Sequence, residues 1–293
     1  MNKKDCVGIF GFGYCAAFLA FLLGKKNMKV LAASRQPNLS MSGHLANLEL
    51  IDFSRKSAER VAKECNAILI TIPPDETGHD PVLRQFEDVF LSFYDKFQWV
   101  GYLSSTGVYG DHQGQWVDET SELLCPSSSG KKRISAEKAW LNLYEKYRLP
   151  VHIFRLAGIY GPARCSIDKI LSGRNYSLYK PNHVFSRIHV EDIAGALLLS
   201  MQNPAPGEIY NLSDDYPAAV HEVDAFAARL LGQSEPELIP VEQADLSELG
   251  KEFFLACKRV SAHKIKSRLG FTLKYPSYRE GLEAILSGDS KMP

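Results

Sequence analysis

The chain is 293 residues long with 34 basic and 34 acidic side chains, a formal net charge of zero. Its cations are dispersed, which excludes an electrostatic footprint for nucleic acid or an anionic membrane surface. Six cysteines (Cys6, Cys15, Cys65, Cys125, Cys165, Cys257) form no Cys-x-x-Cys pair and eight histidines show no metal-ligand spacing, which argues for reduced thiols in a cytoplasm and for no metal site.

The first elements are the most informative. A short apolar strand, Cys6 to Phe10, runs into Gly11-Phe12-Gly13; an apolar segment at helical spacing follows from Tyr14 to Leu23, then a second strand from Met28 to Ala33. Gly11 permits a tight bend, and Gly13 lets a diphosphate approach the backbone where a Cβ would obstruct it. The helix behind them offers free N–H groups and partial positive charge to that anion, and Ala16 fills the third place of a G-x-G-x-x-A dinucleotide fingerprint. Two plainer readings compete. A basic start (Lys3-Lys4) before an apolar run resembles a secretory signal or anchor, but Gly8, Gly11 and Gly13 interrupt it and no small-residue cleavage pattern follows. A turn that binds nothing would need only one of the glycines.

Residues 36–46 read as a polar loop, Leu48 to Asp52 as a third strand, Ser54 to Cys65 as a helix and Ala67 to Ile72 as a fully apolar strand stopped by Pro73-Pro74. Continuous apolar strands are those of a parallel sheet covered on both faces. Pro81 to Phe97 reads as a helix, Trp99 to Leu103 as a strand, Gly130 to Tyr147 as a helix, Val151 to Arg155 as a strand and Gly158 to Ala163 as a turn. Phe185 to Val190 then reads as a strand and Asp192 to Met201 as a helix with an acidic start. The remainder carries helices near Val220 to Leu231 and Arg279 to Leu286, joined by proline-rich stretches. The expected fold is α/β: a doubly wound, Rossmann-type parallel sheet over 1–165 with a contribution from 185–212, and a smaller mixed lobe over 166–293 intertwined with it.

The second strand ends in Ser34-Arg35 with no carboxylate. A hydroxyl beside a guanidinium suits the 2′-phosphate of NADP better than the bare ribose of NAD, although Arg35 also reads as a solvated loop arginine. Asp52 is placed either to accept from the adenine amino group or to cap the helix beginning near Ser54. The cofactor candidates are therefore Gly11, Gly13, Tyr14, Ala16, Ser34, Arg35, Asp52, Ile72, Pro73 and Ser104, for NADP in preference to NAD.

The segments Leu103-Ser104-Ser105-Thr106-Gly107-Val108-Tyr109-Gly110, Arg155-Leu156-Ala157-Gly158-Ile159-Tyr160-Gly161-Pro162, Arg187-Ile188-His189-Val190-Glu191-Asp192-Ile193-Ala194 and Gly207-Glu208-Ile209-Tyr210-Asn211-Leu212 resemble the extended short-chain dehydrogenase/reductase family, the NAD-dependent epimerase/dehydratase group. The resemblance implies a catalytic Ser or Thr at Ser105 and a Tyr-x-x-x-Lys pair on the next helix. Here the tyrosine position is Ser129 and the lysine position Arg133, while Gly130 and Glu137 match. A tyrosine serves as general acid/base because neighbouring cations lower its phenol pKa, which an aliphatic hydroxyl does not reproduce. Arg133 retains the charge to hold a nicotinamide ribose. The only literal Tyr-x-x-x-Lys, Tyr176 to Lys180, lies in a segment flanked by Asn175 and Pro181 and reads as loop. The pattern resembles the atypical bacterial branch that lacks the pair and ends in Leu269-Gly270-Phe271-Thr272-Leu273-Lys274-Tyr275-Pro276.

The resemblance implies an oxidoreductase or epimerase acting on a small molecule such as a nucleotide sugar, with Ser105, Ser129 and Arg133 at the catalytic positions. Thr106, Arg187 and His189 are substrate candidates, although the last two read equally as ordinary strand residues. The competing expectations are a non-catalytic NADP(H)-binding sensor and a scaffold without cofactor. No nucleic-acid or membrane partner is expected, and a homodimer is.

Overall fold

The structure, a computed structural model, describes residues 6–35 and 45–293, apart from the side chains of residues 248 and 249. Most of the polar segment read as a loop, residues 36–44, lies outside that range. Seven strands form one parallel sheet: β1 (Cys6–Phe10), β2 (Lys29–Ser34), β3 (Leu48–Asp52), β4 (Ala67–Ile70), β5 (Trp99–Ser105), β7 (Val151–Leu156) and β11 (Ile209–Leu212), in the spatial order β11-β7-β5-β4-β1-β2-β3. Every neighbouring pair is parallel. The order reverses between β1 and β4, and such a switch point opens a crevice beyond the carboxyl ends of the strands.

The apolar runs explain the layering. Val7 and Ile9 of β1 face one core, Cys6 and Phe10 the other, and β2 divides likewise between Val30/Ala32 and Leu31/Ala33. The first layer holds α1 (Tyr14–Gly24) and α6 (Val190–Gln202); the second holds α2 (Arg55–Glu64), α3 (Pro81–Ser92) and α4 (Ser128–Tyr147). Helix α1 is apolar nearly all round because it is enclosed by the sheet and α6, with Ala16, Ala17, Leu19, Ala20 and Leu23 buried. Among the described residues no helix is long and apolar enough to cross a membrane.

The helix read over Pro81 to Phe97 ends earlier, at Ser92. Phe93 leaves helical dihedrals (φ −128°), and a 3-10 turn, Tyr94–Lys96, drops Phe97 into edge contact with Phe90. Tyr176 to Lys180 is not a loop: β9 (Tyr176–Tyr179) pairs with β12 (Glu237–Pro240). The two side chains find separate partners, Tyr176 under the Arg174 guanidinium and Lys180 on the Phe254 carbonyl.

The remaining elements are β6 (Trp116–Val117), β8 (Gly158–Tyr160), β10 (Arg187–His189), β13 (Arg259–Val260), α5 (Ser166–Leu171), α7 (Val220–Leu230), α8 (Glu248–Leu255), α9 (His263–Leu269) and α10 (Tyr278–Ser287). Tyr160, Ile167, Val223, Ala227, Tyr278 and Leu282 make a small separate core there. Ala262, Ile265, Phe271 and Leu273 belong to the main core.

Candidate functional site

At the switch point the chain turns through Gly11 with φ +98°, a conformation that favours glycine. A Cβ on Gly11 would stand 2.5 Å from Thr71 Oγ1 and 2.7 Å from Ile72 Cγ1, so this glycine packs β1 against the end of β4. Thr71 Oγ1 locks the contact by donating to the Gly11 carbonyl at 2.6 Å. Gly13 is different: among the described residues a Cβ there would meet nothing within 4 Å. It is the N-cap of α1, no side chain caps that helix, and its first turn holds no acidic residue. The mouth of α1 therefore opens onto a cavity of about 860 Å³ through Gly13, Tyr14, Cys15 and Ala16. Tyr14 Oη donates to the Pro162 carbonyl at 2.8 Å, and the Arg164 guanidinium lies over its ring at 5.6 Å, bringing a cation to the same wall.

Ser34 and Asp52 are paired in register at the ends of β2 and β3, and exposed Arg35 follows directly. Of the two roles weighed for Asp52, the cap belongs to Ser54, whose hydroxyl accepts from the Ser57 amide at 3.3 Å. Asp52 instead accepts from the Ser57 hydroxyl, and the Ser57 and Ser54 hydroxyls hold its carboxyl below the usual carboxylate range. Ile72 is buried against the glycine turn and Pro73 is exposed beside it.

The opposite wall is built on β5 and α4. Ser105 Oγ accepts from the Gly107 amide at 3.0 Å and caps the 3-10 turn Thr106–Tyr109. Ser129 and Arg133 lie one helical turn apart on α4 and line the same cavity, with Arg133 Nη1 donating to the Leu103 carbonyl at 3.4 Å. Thr106 lines it too. Ser104 reaches it, but its buried hydroxyl donates to Glu137 Oε1 at 2.5 Å.

Glu137 is the hub of a buried polar network. Arg155 grips it with Nη2 at 2.8 Å and Nε at 3.1 and 3.2 Å. Arg155 Nη1 donates to Tyr109 Oη at 3.0 Å, and Tyr109 in turn donates to Asn211 Oδ1 at 2.7 Å. The network thus ties together the Ser-Ser-Thr turn, α4, the Arg-Leu-Ala-Gly strand and the Ile-Tyr-Asn-Leu strand. The model of the NAD-dependent epimerase/dehydratase family matches residues 94–213, the stretch that carries all four.

The chain belongs to the NAD-dependent epimerase/dehydratase family. Among its relatives, Protein YeeZ of Escherichia coli K12 is 27% identical over 286 residues, covering 92% of this chain and 96% of that protein. A functionally unknown conserved protein from Silicibacter pomeroyi has a solved structure that is 39% identical, with a TM-score of 0.90 over 99% of this chain and 100% of the other. The dTDP-glucose 4,6-dehydratase of Bacillus anthracis, solved in complex with NAD, shares the fold at 18% identity, with a TM-score of 0.76 over 97% of this chain and 96% of the other.

Arg187 and His189, both on one of the epimerase/dehydratase segments, take the second of the two roles read for them, that of strand residues. Arg187 Nη1 is spent on the Phe185 and Ala218 carbonyls at 2.9 and 2.7 Å. His189 is 0% exposed, and its Nδ1 accepts from the Glu191 amide at 3.2 Å, capping α6. Burial pulls its imidazole down to about 4, so it is neutral at pH 7. Neither side chain lines the cavity. Phe185 and Ser186, just before β10, line the cavity, but the hydrogen bonds of Arg187 and His189 turn those two inward.

A third wall, from residues 247–260, is not among the expected site residues. Glu252 Oε2 accepts from Ser129 Oγ at 2.8 Å, and the Phe253 ring stacks on Phe185 at 3.9 Å with 4° between planes. Lys258 Nζ donates to the Gly110 carbonyl at 3.0 Å, and burial lowers its pKa. This wall is held in place by the two-residue pairing of β13 with β6. No motif marks it because it reaches the cavity only through tertiary contacts.

Proposed function

We propose that the cavity binds a nicotinamide dinucleotide, NADP(H) in preference to NAD(H), and that the protein oxidises or epimerises a nucleotide-sugar-like substrate without the usual Tyr-x-x-x-Lys pair. The observation that carries the reading is the pair of glycines. Gly11 is required by its φ and by Thr71, whereas Gly13 leaves open space at an uncapped helix mouth, and that division suits a diphosphate seated on backbone N–H groups. Gly13, Tyr14 and Ala16 would hold the diphosphate, Arg35 and Ser34 the 2′-phosphate, Asp52 the adenine edge and Arg133 the nicotinamide ribose, with Ile72, Pro73 and Ser104 flanking. When bound, the dinucleotide supplies a hydride acceptor. Ser105 and Thr106 would orient the reacting hydroxyl. The Bacillus anthracis neighbour, solved with NAD and named for dTDP-glucose, supports this class of ligand for the shared fold.

A second reading is favoured by Ser129 and Arg133, which replace both members of the proton-transfer pair: a protein that binds NADP(H) and signals its redox state without turnover. Single-turnover incubation with oxidised dinucleotide and dTDP-glucose or UDP-glucose separates the two. Appearance of reduced dinucleotide supports the enzyme; bound but unchanged cofactor supports the sensor.

A further inference from the structure

The tyrosine of this family carries a proton, and its replacement by Ser129 leaves that proton without an obvious carrier. Ser129 is not isolated. Its hydroxyl donates to Glu252 Oε2 at 2.8 Å across the cavity, between α4 and α8, and lies 3.1 Å from Ser127 Oγ, the cap of α4. Ser129 and Glu252 both line the cavity. A hydroxyl has one proton to donate and two acceptor positions, so Ser129 can give its proton to Glu252 while accepting another from a ligand.

Among the described residues, the other ionisable groups lining the cavity are committed elsewhere. Tyr14 donates to Pro162, and burial raises its phenol well above its ordinary value. Cys15 is buried and its thiol is pushed up to about 11. Asp111 Oδ1 accepts from the Gln113 and Cys257 amides at 3.1 and 2.8 Å and fixes the turn to the third wall. Cys125 lies 3.2 Å from Ser127 Oγ. Lys258, Arg133 and Arg164 are cation-bearing side chains, and the carboxyl oxygens of Glu252 are the acceptors that Ser129 faces.

We propose that Ser129 and Glu252 form a proton relay that replaces the missing tyrosine, with Glu252 as the terminal acceptor. This rests on the dinucleotide-dependent reading above. In oxidation of a substrate carbinol, the C–H bond breaks and its electron pair leaves as hydride to the oxidised dinucleotide. The substrate O–H bond also breaks, and its proton bonds to Ser129 Oγ as the original Ser129 proton passes to Glu252. The products are a carbonyl, neutral Ser129 and protonated Glu252; reduction runs the transfer backward. Glu252 arrives on α8, a segment with no counterpart in the recognised motifs, so the relay is assembled by the third wall.

The test uses the full-length protein loaded with oxidised dinucleotide, with dTDP-glucose and UDP-glucose as probes, and reads single-turnover cofactor reduction, dinucleotide Kd and melting temperature. Glu252→Gln keeps the side-chain shape but accepts no proton, and should slow reduction at least about 100-fold with Kd and melting temperature unchanged. Ser129→Ala should do the same, the double variant should be no slower than either single one, and added acetate should restore part of the rate to Glu252→Gly. Should Glu252→Gln lose its fold, Ser129→Ala and the acetate rescue carry the decision. A Glu252→Gln rate within threefold of wild type, or a Ser129→Ala rate equal to wild type, overturns the relay and leaves the dinucleotide reading standing. A wild type that binds dinucleotide and never reduces it with either probe overturns the enzymatic reading and the relay with it.

Discussion

Glu137 and Arg155 form a bidentate ion pair with side-chain exposures of only 3% and 4%, at the point where four sequence motifs converge. Neither side chain lines the cavity; the pair reaches it through Ser104, whose hydroxyl donates to Glu137. Removing one partner leaves the other charge buried and unpaired, which costs about 3–5 kcal/mol. Glu137→Ala and Arg155→Ala should each lose stability on that scale in urea unfolding. A loss under about 1 kcal/mol would mean that water reaches the pair.

The two glycines should separate on substitution. Gly11→Ala places a Cβ against Thr71 and Ile72 at φ +98°, and should cost about 1–3 kcal/mol of stability along with ligand binding. Gly13→Ala meets no neighbour, so its melting temperature should match wild type while dinucleotide affinity falls at least tenfold. Equal affinity in Gly13→Ala would remove the helix mouth from the site.

His189 sets a pH dependence. Its imidazole is neutral in the fold because burial lowers its pKa to about 4, against about 6.5 when unfolded. The unfolded chain therefore binds the extra proton first, and the stability present above pH 6.5 is lost as pH falls toward 4. Relative to His189→Asn, wild type should lose about 3 kcal/mol over that window. Parallel stability curves for the two proteins would contradict a buried neutral imidazole.

Arg35→Asp replaces a cation by a carboxylate at the end of β2. It should turn a preference for NADP over NAD into the reverse, read as the ratio of the two dissociation constants. An unchanged ratio removes Arg35 from the 2′-phosphate.

Much of the sheet domain is legible in the sequence because its signals are local. The strands at Cys6 and Ala67 are unbroken apolar runs, and the turn between β1 and α1 is written in three consecutive residues. The motif segments around Ser105, Arg155 and Asn211 are equally readable, but not that Glu137 joins them, since that depends on strands brought together by the fold. His189 shows the limit of a motif: its place beside the crevice follows from sequence, whereas its inward direction follows from the Glu191 amide it caps. Residues 247–260 lie beyond any local signal, held by Arg259 and Val260 against Trp116 and Val117.

A nicotinamide dinucleotide in the cavity at Gly13 should stabilise the fold by mass action. The most direct measurement is the melting temperature of the protein with NAD+, NADH, NADP+ and NADPH in turn. At about 100 times the dissociation constant a bound ligand adds about 2.7 kcal/mol of stability. An upward shift is expected with NADP+ or NADPH, larger than with NAD+ or NADH and reduced in Gly13→Ala; no shift with any of the four would take the dinucleotide out of the cavity.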